Sequence, residues 1–380
     1  MKISKIDTYV VHIGWRNYLF VKVSTDEGIS GIGEAYPVGP DKATVEAIDY
    51  FEEWLVGKNP MDIEGLWQYM YNGSRFPGGS ILNAAISGIE HALFDIVGKA
   101  LNTPVYQLLG GKCRQKIRVY QAPHGDTPEA LAEDALRLID KYHFTALKIG
   151  PHPPGQEKLP WNAVVRGAAA RMEAVRKAVG EDIDIATDPH AKIFEPAKAI
   201  EMANVLAPYK PMFVEELTRP ETVDALAKIR QHTDVPLATG EMLYTKFEFK
   251  DLLVTQAVDV VQPDVCLCGG IQETKKIAAM AEAFYVDVAP HNPLGPVATA
   301  VNVQLVATCP NFLILEYTAD DVPCRKEFLK EPVKLVDGYL EIPDKPGLGV
   351  ELNEEALPNY PGIYWRRPIP TRPDGSIAFQ

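Results

Sequence analysis

A chain of 380 residues is long enough for a large core and two domains. Its formal net charge of −13 and pI near 5.2 argue against nucleic acid or an anionic membrane surface as partner, while an apolar fraction of 46% is that of an ordinary globular protein. Five cysteines, odd in number and without zinc-ligand spacing, fit a reducing cytoplasm and no disulfide framework.

The N-terminal apolar runs are interrupted by His12, Arg16 and Asn17, so no signal peptide is expected. The opening stretch alternates as strands: ISKIDTYVVHI, then NYLFVKVSTDEGISGIGEA with a turn at Asp26–Gly28. Helical periodicity follows in TVEAIDYFEEWLVG, IEGLWQYMYN and a long segment from Ile81 to Leu101. That segment carries Glu90, His91 and Asp95, and no stretch is expected to supply the roughly 18 apolar residues of a membrane span. Residues 1–115 therefore read as an α+β domain.

From Lys116 the pattern becomes strict β/α alternation. Eight strands are expected at IRVYQA, ALKIG, IDIATD, MFVEE, PLATGE, VDVVQPD, VDVAPH and FLILEY, with seven intervening helices. Eight parallel strands close a barrel, here over residues 116–320. Residues 321–380 read as loop, hairpin and turn, a tail that returns to the N-terminal domain. The proline-rich loop PHPPGQEKLPW after the second barrel strand either borders the site or is a surface excursion.

Six proton-moving or metal-binding residues each follow an apolar run: Asp188, Glu215, Glu241, Asp264, His291 and Glu316. Their spacings of 27, 26, 23, 27 and 25 are each one strand–helix unit, which gathers them at the C-terminal mouth of the barrel. Asp188, Glu215 and Glu241 would end three consecutive strands and repel unless a cation joins them. Hard oxygen ligands without cysteine suit Mg²⁺. Glu216 should point away by strand alternation and reads as structural. His190, two residues after Asp188, is placed as a general acid. Asp264 and His291 form an expected base dyad, the carboxylate fixing the imidazole tautomer. A protonated Glu316 could donate to an oxyanion. These parts suit removal of a proton next to a carboxylate by His291, with a metal-stabilised enediolate and water leaving from the neighbouring carbon.

The chain resembles the enolase superfamily in its mandelate racemase branch, most closely the galactonate dehydratases and related acid-sugar dehydratases. The resemblance runs through MKISKIDTYVV, STDEGISGIGEA, GGSILNAAISGIEHALFDIVGKALNTPVYQLLGGKCR, DPH, FVEE, QPDVCLCGGI, APHNPLGP and KPGLGVE. It implies a capping domain, completed by the C-terminal tail, over a modified (β/α)₇β barrel. It implies Mg²⁺ on Asp188, Glu215 and Glu241, and a 2-keto-3-deoxy product from an aldonate such as galactonate. It also implies His190 as acid, His291 with Asp264 as base, Glu316 as electrophilic helper, and a homo-oligomer, dimer or octamer. Two positions depart from the pattern. Lys148–Ile149–Gly150 lacks the second lysine of two-base racemases, which weakens an epimerase and leaves a lactone cycloisomerase open. Lys148 then contacts the substrate carboxylate or pairs with a ligand acid. Met242 stands where related dehydratases carry arginine. Substrate contacts are expected from Trp15, Arg16 and the glycine-containing segment 74–79 with Arg75, and from His124 and His152 near strand ends. Arg16 and Arg75 read equally as surface arginines.

Overall fold

A computed structural model describes residues 1–37, 39, 41–319 and 323–378. The chain opens with an antiparallel sheet of β1 (Ile3–Ile13), β2 (Arg16–Thr25) and β3 (Ser30–Ala35), in that order. Helices α1 (Asp41–Leu55), α2 (Ile63–Gly73) and α3 (Ser80–Ala100) follow, then the short α4 (Val105–Leu108). A Cβ on Gly33 would lie 2.0 Å from the carbonyl oxygen of Gly88, so β3 and α3 can touch backbone to backbone only through glycine. By length and composition α3 meets the measure of a membrane span, contrary to the sequence expectation. Yet 89% of its apolar window is buried inside the protein, because it is the core helix between the sheet and the rest of the chain.

Eight strands then alternate with seven helices. They are β4 (Lys116–Tyr120), α5 (Pro128–Tyr142), β5 (Ala146–Ile149), α6 (Trp161–Val179), β6 (Asp184–Thr187) and α7 (Pro196–Leu206). Next come β7 (Val214–Glu215), α8 (Val223–Arg230), β8 (Leu237–Thr239), α9 (Thr245–Val254) and β9 (Val260–Val261). The series ends with α10 (Ile271–Ala283), β10 (Asp287–Val288), α11 (Pro296–Val306) and β11 (Leu315–Glu316). Neighbours from β5 to β10 pair in parallel, and β11 pairs in parallel with β4. Parallel bridges Gln121–Leu147 and Val288–Phe312 join the two sheets, so the ring closes. Its interior holds Tyr120, Ala146, Ala186, Phe213, Ala238, Val260, Ala289 and Ile314, large residues offset by small ones.

Past β11 the described chain enters a short 3₁₀ turn (Pro323–Phe328) rather than an eighth barrel helix. The tail then divides. Its hairpin, β12 (Leu335–Val336) and β13 (Tyr339–Glu341), stays on the barrel, with β13 antiparallel to β4. The 3₁₀ turn already packs on the N-terminal sheet, Phe328 against Phe20, and the chain returns to that sheet further on, where Glu354 binds Tyr9 and Lys22, and Pro361 bridges Val11.

Three buried carboxylates fasten the N-terminal elements to the rest. Glu34 on β3 accepts from the backbone N–H of Gly295 and Ala298 at the start of α11. Glu90 on α3 does the same for Ile271 and Gln272 at the start of α10. Asp95 accepts from Ile32 and Leu348. Helix starts expose unpaired N–H groups and a positive dipole end, so carboxylates from another layer are well matched to them.

Candidate active site

Lys148 rises from β5, while Asp188 follows the last residue of β6 and Glu215 ends β7. Glu241, Asp264 and His291 lie just beyond β8, β9 and β10, and Glu316 ends β11. All seven therefore stand at one end of the ring, the outcome of strands that are parallel and nearly equal in spacing.

The carboxylates of Asp188, Glu215 and Glu241 each offer an oxygen within 4.8 Å of the other two. Asp188 and Glu215 are buried and Glu241 partly so. Glu215 Oε2 has no hydrogen-bond partner among the described residues. Burial pushes the Glu215 carboxyl up to about 8, and the Asp188 charge adds to that rise against the pull of Lys148. A buried, partnerless oxygen amid like charges is the electrostatic condition that a hard divalent cation relieves. The donor set fits such an ion.

Lys148 Nζ lies 2.9 Å from Glu215 Oε1 and 3.2 Å from both Asp188 Oδ2 and Glu316 Oε1. Of the two sequence readings, the structure shows the pairing with acids of the triad. Burial alone would lower this ammonium, but the Glu215 and Glu316 charges raise it well above its ordinary range. Glu316 accepts from the Asn292 N–H at 3.0 Å. Burial raises its carboxyl, but Lys148 and His291 outweigh that and bring it below the ordinary value. In this arrangement Glu316 is a carboxylate acceptor, so the expected protonated donor is not the form the surroundings favour.

His291 Nδ1 lies 2.8 Å from Asp264 Oδ2, which fixes the proton on Nδ1 and leaves Nε2 free of that bond. Nε2 faces Glu241 Oε2 at 3.3 Å. Burial lowers the imidazole pKa, yet the Glu241 and Asp264 charges carry it well above its ordinary value. Asp264 itself accepts from the Cys266 N–H, which holds the dyad in place.

His190 reaches the site for a different reason from strand alternation. It lies beyond β6 with φ +54°, and the left-handed turn at His190 and Ala191 folds its ring back. Its Nε2 sits 3.2 Å from Asp188 Oδ2, and its backbone N–H donates to Asp188 Oδ1. Glu216 also has positive φ, and its Oε1 accepts from Thr239 Oγ1 and the Gly240 N–H. It thereby pins the turn that presents Glu241.

Above these groups lies a cavity of about 740 Å³. His190, Glu241 and His291 form part of its lining. Trp15 and the buried Arg16 line it too, with the guanidinium 4.7 Å from the Trp15 ring centre. The proline-rich loop contributes Gln156 and Glu157, so it borders the site. Three expected substrate contacts are not part of that lining. Arg75 is exposed on the segment before α3, over the ring of Phe76, and is not part of the lining. His124 lies four residues past the end of β4, exposed, with its backbone tied to Asp134. His152 does not line the cavity either, and burial lowers its imidazole to about 4. Conversely, the lining includes Tyr36, Lys192 and the tail residues Trp365 and Arg367, none of which the sequence reading singled out.

This barrel with a carboxylate triad and a mixed cap defines the protein's class. The chain belongs to the mandelate racemase/muconate lactonizing enzyme family of the enolase superfamily. Its residues 5–110 match the mandelate racemase/muconate lactonizing enzyme N-terminal domain and residues 130–356 the enolase C-terminal domain-like family. Among individual proteins, it is 39% identical over 388 residues to D-galactonate dehydratase of Variovorax paradoxus (strain S110), covering all of both chains. It is 36% identical over 391 residues to D-galactonate dehydratase of Pectobacterium atrosepticum, again over both full chains. Among solved structures it is similar to an enolase from Agrobacterium radiobacter, provisionally assigned as a galactarate dehydratase and bound to sodium and L-malate. That match has 40% identity, a TM-score of 0.95 and full coverage of both chains.

Proposed function

We infer that this protein is an acid-sugar dehydratase, a hydro-lyase that converts a sugar acid to a 2-keto-3-deoxy acid. The single observation that carries the reading is the His291–Asp264 dyad and His190 gathered around one carboxylate triad. Full-length relatives named D-galactonate dehydratase support the same reaction class and favour a galactonate-like aldonate.

Asp188, Glu215 and Glu241 would hold Mg²⁺, which would supply positive charge beside the substrate carboxylate and offset the negative charges of the triad. His291 Nε2 accepts the α-proton, with Asp264 stabilising the imidazolium through Nδ1. His190 gives a proton to the hydroxyl leaving the adjacent carbon, so that water departs. The resulting enol tautomerises to the ketone. Lys148 and Glu316 stand beside the carboxylate end of the substrate as a charge-matched pair. Trp15 and Arg16 contact the sugar chain from above, and Met242 offers an apolar face to it.

We also propose a cytoplasmic homo-oligomer, dimer or octamer, in line with the family resemblance. The five free cysteines and the exposed apolar Phe76 and Tyr364 support this.

Proton NMR in D₂O, with Mg²⁺-loaded protein and a stereochemically complete panel of aldonates, aldarates and lactones, tests the function. The expected outcome is a 2-keto-3-deoxy product from at least one acid. Ring opening alone, or deuterium at the α-carbon without water loss, would assign an isomerase instead.

A further inference from the structure

Two cations in the cavity wall take no part in the reaction above. Lys192 lies in the loop after β6, and Arg367 lies in the C-terminal tail; both line the cavity. They come from segments 175 residues apart in sequence (192 to 367), yet the fold brings both into one cavity wall. Burial lowers the lysine most, while the Asp188 charge raises it and the Arg367 charge lowers it. Neither forms an ion pair within 4.0 Å with any carboxylate among the described residues. Glu157 faces the same cavity and favours the Lys192 charge, but less than Asp188 does, and it pairs with neither cation. Lys192 is only partly exposed, so its ammonium is partly stripped of water. Two cations in one concave wall, neither of them held in an ion pair, present a favourable surface to an anion.

The carboxylate triad and Lys148 occupy the base of the site, and the loop and tail form its rim. A sugar acid whose first carboxylate meets the metal ligands extends its far end towards that rim. We propose that Lys192 and Arg367 bind a second, terminal carboxylate, so that this chain selects six-carbon aldarates over aldonates, a departure from the galactonate-like substrate of its named relatives. This rests on the dehydratase reading for the orientation of the substrate. An aldonate would place a neutral hydroxymethyl group against two unpaired cations. A site built for a charged partner discriminates strongly against the analogue that lacks it.

Equilibrium binding separates this proposal from the reaction itself. Mg²⁺-loaded His291→Asn protein is titrated calorimetrically with aldarates and aldonates of matched stereochemistry, and with the corresponding 6-phosphoaldonates. The expected result is that the best aldarate binds about tenfold or more tighter than its aldonate, some 1.4 kcal/mol. Arg367→Met and Lys192→Met, each introduced into this background, should each remove most of that preference while leaving aldonate binding within about twofold. A merely structural role would weaken both ligands together. Arg367 is exposed, so its replacement should leave the melting temperature unchanged, which provides the check on folding. Equal affinity for both acid classes would overturn the proposal. So would a preference that survives both substitutions, or tighter binding of the 6-phosphoaldonates. If the wild type yields no keto-deoxy acid from any substrate, the dehydratase reading fails. The binding preference still decides what Lys192 and Arg367 recognise.

Discussion

At the scale of single residues, the catalytic proposal turns on His291. Its Nδ1 is committed to Asp264, so Nε2 alone can take a proton. Asparagine keeps much of the volume but has no basic nitrogen. His291→Asn should lower dehydration by about 10²–10⁴-fold, the usual contribution of a positioned general base. It should also abolish deuterium exchange at the α-carbon. Normal turnover by a folded, Mg²⁺-loaded variant would sink the assignment. The metal proposal turns on Glu215, whose Oε2 is buried without a partner and whose Oε1 meets Lys148. Glu215→Gln removes one negative charge from the triad. Mg²⁺ affinity, read by calorimetry, should fall by about tenfold or more, equivalent to ~1.4 kcal/mol. Unchanged affinity would place the ion elsewhere.

At the scale of elements, what the sequence reveals depends on periodicity. A strand–helix unit has a nearly fixed length, so Asp188, Glu215, Glu241, Asp264, His291 and Glu316 could be assigned to one barrel mouth from spacing alone. The helices α5 to α11 are amphipathic or apolar over enough turns to declare themselves. Irregular chain carries no such period. The tail residues Trp365 and Arg367 cross back over the site by contacts that no local pattern encodes. Arg75 is expected from a glycine-containing capping segment and His124 from nearness to a strand end, and a few loop residues undo both. His190 illustrates the same limit: strand alternation stops at Thr187, and a left-handed turn does the aiming. The junctions between layers are equally local and equally hidden. Gly270 has φ +95°, and a Cβ there would lie 2.4 Å from Glu90 Oε2, the carboxylate that caps α10. Gly270→Ala should therefore strain the backbone and displace the cap. We expect a loss of about 1–3 kcal/mol, seen as a lower melting temperature. A melting temperature equal to wild type would show that the cap can move aside freely.

At the scale of the whole molecule, we propose a division into residues 1–115, a barrel over 116–320 and a tail over 321–380, with the contacts between them depending on buried acids. Burial pushes Glu34 up to about 7 and Glu90 up to about 8, despite the backbone N–H donors that favour the charged forms. Lys276 and Glu273 also face Glu90, with opposing effects, and Arg325 and Arg16 act on Glu34. In the unfolded chain both carboxyls titrate near the ordinary 4.5. The folded protein thus holds these two protons more tightly than the unfolded chain does. The stability they contribute is fully present below about 4.5 and is lost as pH rises through 7 and 8. Melting temperature, measured with Mg²⁺ present so that the triad is neutralised, should fall between pH 6 and pH 8.5. Glu90→Gln has nothing to titrate at that position. Whatever its absolute stability, its melting temperature should fall less over the same interval. An identical pH slope in wild type and variant would mean that Glu90 is already ionised in the fold, its charge carried by the start of α10.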